Sequence, residues 1–115
     1  MLEDQIFPSI CQMLGLPDDG GGFEQEVGGH INSAFMVLQQ IGVTPAIFQV
    51  TRGDENWADV GLPAGLVDTV RTYVFLYVAF GYDPPTTSFQ RDLKRDQLTE
   101  FEVRLQLYSE VGPNG

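Results

Sequence analysis

The segment Tyr73–Phe89 constrains this chain more than any other. Tyr73-Val-Phe-Leu-Tyr-Val-Ala-Phe80 is an unbroken apolar run that stops on Gly81, and an Asp83-Pro84-Pro85 corner separates it from a polar Thr-Thr-Ser stretch. Leu66, Val67, Val70, Tyr73, Val74 and Tyr77 make one helical stripe, and Phe75, Leu76, Val78, Ala79 and Phe80 fill the other faces. A helix that is apolar all round must be covered all round, and a chain of 115 residues can rarely do this alone. Either three other helices ring it, or neighbouring subunits complete the cover. In the second case Phe75, Leu76 and Phe80 are the subunit-interface residues. At the corner, each proline locks its own φ and Pro85 restricts Pro84 further, so Asp83, Pro84 and Pro85 form a structural corner that fixes the angle between two helices.

The remaining pattern predicts a mainly α fold: one small four-helix domain over residues 1–115, with a short β-hairpin or irregular element between helices 2 and 3. The first helix is expected over about 2–14, with Pro8 in its first turn and Gly15 and Pro17 ending it. Asp18-Asp19-Gly20-Gly21-Gly22 reads as a flexible polar loop. Val27, Ile31, Ala34, Phe35, Leu38 and Ile41 define a second helix over about 23–41, stopped by Gly42. Gly28 and Gly29 inside it cost helix stability; either they allow close approach of another chain or they are simply tolerated. Ile47–Thr51 alternates like a short strand, 52–56 is a polar turn, and Trp57–Val60 returns as a strand or turn, with Trp57 as an anchor whose N–H finds a partner. The third helix is expected from about Leu62 to Phe80. The fourth starts at Thr87, which has capping-box spacing to Gln90, and carries a stripe of Phe89, Leu93, Leu98, Phe101, Leu105 and Tyr108 to about Glu110. Residues 110–115 read as a flexible tail.

Charge narrows the function. The net charge is −10, and residues 1–70 hold ten of the sixteen acids but only one of the six bases, Arg52. Such a surface repels free nucleic acid and anionic membrane. The plain reading is solubility; the sharper one is a face that must repel something anionic, with the near-neutral C-terminal helix meeting a different partner. The acidic N-terminus is not a secretory signal, and the longest apolar run is far too short to span a bilayer. Cys11, the only cysteine, reads as a small core residue, and the lone His30 as a surface or boundary residue. The Arg52-Gly53-Asp54 triplet reads as a turn. No Ser-His-Asp, metal-ligand or nucleotide-binding pattern is present, so an enzyme is not expected and no cofactor is implied.

In order and spacing the chain resembles the small head–tail connector (adaptor, or head-completion) proteins of long-tailed bacteriophages. The resemblance covers about residues 3–108. It runs through Met13-Leu14-Gly15-Leu16, His30-Ile31-Asn32-Ser33-Ala34-Phe35, Leu38-Gln39-Gln40-Ile41-Gly42-Val43, Phe48–Thr51, Trp57-Ala58-Asp59, Val70–Val74 and Phe101–Leu105. It also includes Tyr82–Phe89, where the Asp83-Pro84-Pro85-Thr86-Thr87-Ser88 corner is its most specific part; the Gly20–Gly22 loop and the Gly-Pro-Asn-Gly end depart from it.

The resemblance implies a virion structural protein that forms a homo-oligomeric ring, usually of twelve, under the portal. Such a ring extends the DNA channel, lets DNA pass without specific binding, and presents a surface to the next neck or tail-completion protein. It implies assembly in the host cytoplasm and residence in the head–tail neck. Asp18, Asp19, Glu24, Glu26, Asp54, Glu55 and Asp59 are the candidate lumen-facing acids, and Arg104, Tyr108 and Pro113 the candidate portal contacts. The alternative from another class is an acidic regulatory protein or DNA-mimic inhibitor. That alternative would share the charge but would not need the apolar helix or the Pro-Pro corner.

Overall fold

The computed structural model describes residues 4–44, 48–51 and 53–111. Four helices build one flat body of about 42 × 37 × 19 Å: α1 (Ile6–Met13), α2 (Glu24–Gln40), α3 (Val67–Tyr82) and α4 (Ser88–Val111). α3 lies at the centre, against α2, α1 and α4.

α1 is the most deeply set. Six consecutive residues, Ile6 to Cys11, are buried. Pro8 is its third residue, where the missing N–H has no intrahelical partner to lose. Cys11 is fully buried, as a small core residue should be.

The first two helices end in the same way. Gly15 and Gly42 take positive φ; Leu16 N donates to Cys11 O (2.8 Å) and Gly15 N to Gln12 O, while Val43 N donates to Leu38 O (2.9 Å) and Gly42 N to Gln39 O. Both are Schellman endings, which is why each stop was readable as a glycine. α2 buries the stripe Val27, Ile31, Ala34, Phe35 and Leu38.

The segment between α2 and α3 is irregular. Among the described residues there is no strand, only an isolated antiparallel bridge between Gln5 and Asn56. Of the two forms expected here, hairpin or irregular element, the irregular one is present, and Val50 pairs with a side chain instead of a second strand. Val50 N donates to Asn32 Oδ1 (2.7 Å), and Asn32 Nδ2 donates to Val50 O (3.2 Å). The primary amide of α2 thus does for Val50 what a neighbouring strand would do. Ile47 and Arg52, the first residue of the Arg-Gly-Asp triplet, lie outside the described residues.

Trp57–Val60 is a 3₁₀ turn opened by a capping box between Asn56 and Asp59. Trp57 is the expected anchor. Its Nε1 donates to Ser9 Oγ (3.0 Å), its ring sits beside Phe35, and the Arg71 guanidinium lies 5.6 Å from its centroid.

A second 3₁₀ turn, Ala64–Leu66, leads into α3, so the regular helix starts later than expected. It also ends later, at Tyr82, and Gly81 is inside it rather than a stop. Gly81 is a packing residue: a Cβ there would stand 2.6 Å from Cε1 and Nδ1 of His30 on α2. Val70, Tyr73, Val74 and Val78 of α3 are buried, while Phe75, Leu76, Tyr77, Ala79, Phe80 and Tyr82 are half-buried.

The chain turns at Asp83-Pro84-Pro85 with no cis peptide bond. α4 then starts with Thr87 Oγ1 accepting from Gln90 N (3.2 Å), as the spacing indicated.

Candidate functional site

α4 does not carry one stripe. Leu105 is buried and Leu98 and Phe101 are half-buried against the body, but Phe89 (71 %), Leu93 (54 %) and Tyr108 (62 %) are exposed. The spacing of its apolar residues is the reason. Leu93 and Leu98 are five residues apart, which turns the helix by about 140°, so one stripe becomes two. Val103 and Leu107 are exposed on the same side as Phe89 and Leu93. Phe89 and Leu107 are about five full turns apart, so these four side chains form an outward apolar row. Arg104 and Tyr108 flank it. Arg104 pairs with Glu100 on the solvent side. Pro113, the third candidate portal contact, lies outside the described residues.

α4 is tied to α3 by one inward polar contact. Tyr73, fully buried, donates its OH to Glu102 Oε2 at 2.8 Å. Burial first, and then this hydrogen bond, hold the phenol well above the usual tyrosine range, so it stays a neutral donor.

On the far side of α2 is an open groove of about 710 Å³. Asp18, Asp19 and Glu24 line it, Phe7 and Val50 give it apolar surface, and Gly28 and Gly29 of α2 present bare backbone. Nothing lies within 4 Å of a Cβ placed at Gly29, so this glycine does not serve packing inside the chain. The loop before α2 carries its own hydrogen bonds: Gly20 N donates to Pro17 O, Gly21 N to Asp19 Oδ1, and Gln12 Nε2 to Asp18 Oδ1. Burial, and behind it the negative charge of Asp18, Asp19 and Glu24, pushes the Cys11 thiol up to about 11.

The seven acids therefore have different surroundings. Asp18, Asp19 and Glu24 come together on the groove. Glu55 is buried and turned into its own loop, where its carboxylate accepts from Thr51 N (2.8 Å), Thr51 Oγ1 and Gly53 N. Asp59 accepts from Asn56 N (3.0 Å). Glu26, Asp54 and Asp59 are exposed.

Phe75, Leu76 and Phe80 are all half-buried on α3, and the Arg95 guanidinium of α4 lies 6.0 Å from the Phe80 ring centroid. Sequence reasoning missed the groove and the Asn32 clamp, both of which join residues far apart in the chain. Asp18-Asp19 and the Gly28-Gly29 pair were the available signal.

Among the described residues no helix is long and apolar enough to cross a membrane. No curated protein and no solved structure matches the chain. A family model described as phage connector protein matches residues 6–112, from the first residue of α1 past the end of α4. The chain thus belongs to the phage connector family, a structural family of the bacteriophage head–tail region whose members contact other head and tail proteins.

Proposed function

We propose that the chain is a ring-forming head–tail connector. Copies, twelve as the resemblance implies, close into a ring that docks under the portal, extends the DNA channel and offers an attachment surface to the next neck or tail component. It assembles in the host cytoplasm and resides in the neck of the virion. The observation that carries this reading is the outward row Phe89, Leu93, Val103 and Leu107 on a helix whose other face already packs on the body. A monomer gains nothing from a second apolar face, whereas a docking protein does. The portal covers the C-terminal half of the row, with Arg104 and Tyr108 at its edge, and Phe75, Leu76 and Phe80 lie at the boundary between subunits. Glu26, Asp54 and Asp59 are the exposed acids outside the groove, and they keep the channel wall from holding DNA phosphates.

Mass determination by light scattering, with and without purified portal protein, tests the reading. A large ring alone, or a complete ring on the portal, is the expected result. A chain that stays a monomer or dimer under both conditions overturns it, and tight one-to-one capture by a basic partner would favour an acidic inhibitor instead. Conversion of Glu26, Asp54 and Asp59 to Lys is expected to leave the ring intact and create salt-dependent DNA binding.

A further inference from the structure

We propose that the acidic groove of one copy receives the basic edge of the next: Arg91, Lys94 and Arg95 of α4, beside Phe80 of α3. This rests on the ring reading and names the two surfaces that make the ring.

The two surfaces are complementary. Among the described residues, Asp18, Asp19 and Glu24 have no cationic partner; Asp18 and Asp19 accept only from Gln12 and from the Gly21 backbone. Arg91, Lys94 and Arg95 stand at i, i+3 and i+4 and share one face of α4. Arg91 and Lys94 have no ion-pair partner among the described residues, and Arg95 has only a loose contact with Asp92 at 3.9 Å. No residue from Ser88 to Gln97 is even half-buried. Phe80 supplies the apolar centre that Phe7 and Val50 would meet.

Among the described residues, one copy does not pair the two surfaces with each other. On α2, His30 touches Gly81 of α3, whereas Gly28 and Asn32 on the groove each stand about 160° around the helix from His30. α4 packs on α3, and among the described residues no ion pair joins the groove to the basic edge within one copy. A contact between two unlike surfaces repeats head to tail and closes into a ring when the rotation permits. It also gives Gly28 and Gly29 a use, since bare helix backbone admits long side chains close to the axis.

The test is cross-linking between copies. Glu24→Cys and Lys94→Cys variants are mixed under assembly conditions and treated with a short bismaleimide, with Cys11 buried and unreactive. A linked dimer is expected from the mixture and not from either variant alone. Separately, Asp19→Lys with Glu24→Lys is expected to weaken assembly at least tenfold, as is Arg91→Glu with Lys94→Glu, and the four changes in one chain are expected to restore it. Wild-type rings with no cross-link, or charge reversals that assemble normally, overturn this contact while leaving the ring standing. Coupling of the Cys at 24 to portal subunits alone assigns the groove to the portal and overturns it too. A wild-type chain that never assembles removes the ring reading and this inference together.

Discussion

α1 and α4 are both amphipathic helices, but they are held in opposite ways. α1 buries six of its eight residues, whereas in α4 Leu105 is the only buried side chain among those described. α1 is short and depends on its surroundings for stability. α4 is 24 residues long, begins with a proper cap, and needs little from the body to remain a helix. The contrast separates two demands on an apolar side chain: those of α1–α3 hold one domain together, and much of the apolar surface of α4 is left for something outside it.

The sharpest way to break this contrast is a pair of truncations. Phe35→Ala, in the aromatic centre with Phe48 and Trp57, is expected to cost about 3–5 kcal/mol. Phe89→Ala is expected to stay within about 0.5 kcal/mol in the unassembled chain. Urea midpoints decide it, and comparable losses at both sites would erase the distinction.

An alkaline titration sharpens the same point from the core side. Cys11 ordinarily ionises near 9 and is pushed up to about 11 in the folded chain. Above pH 9 the unfolded chain gives up this proton while the native chain keeps it. The unfolded state then binds fewer protons, and stability falls as pH rises. The loss should reach about 1 kcal/mol by pH 10 and be on the order of 2 by pH 11. Tyr73 adds a loss of the same sign from about pH 10 upward. Cys11→Ala is expected to flatten the part between pH 9 and 10; an unchanged slope there would place the thiol's burial in doubt.

Replacing both Pro84 and Pro85 with Ala probes the joint between the two regions. Added freedom in the unfolded chain is expected to lower stability by about 1 kcal/mol. An unchanged melting temperature would mean that packing around Tyr73 and Leu105 sets the angle of α4 by itself.

The smallest effect concerns Gly81, and it changes sign with background. Gly81→Ala alone should destabilise, because the new methyl meets the His30 ring. In a His30→Ala background the same change should stabilise by up to about 1 kcal/mol, since Ala is the better helix former. Equal effects in both backgrounds would show that His30 simply rotates away.

Much of this molecule was legible in its sequence. Apolar periodicity marked four helices, Gly15 and Gly42 marked two ends, Thr87 a start, and Trp57 an anchor, because each of these is a local rule acting over a few residues. Gly81 read as a stop because a glycine needed for conformation and one needed for clearance look alike in a sequence; His30, more than a full element away, decides between them. The choice between a hairpin and an irregular element stayed open for a related reason. Alternation allows a short strand around Val50, but the partner of Val50 is the amide of Asn32, and no spacing rule points to it. The split face of α4 was readable in principle, from the five-residue step between Leu93 and Leu98. The groove was not, because it joins the residues after α1, the outer side of α2 and the segment around Val50.

The meeting of Gly81 and His30 also bears on how such a chain can change over generations. Position 81 cannot drift freely while the ring at 30 stands. A side chain at 81 is tolerated only after the ring at 30 has been lost, so one order of substitutions is open and the reverse order passes through a weakened protein. Related chains should therefore vary at these two places together, and His at 30 should travel with Gly at 81.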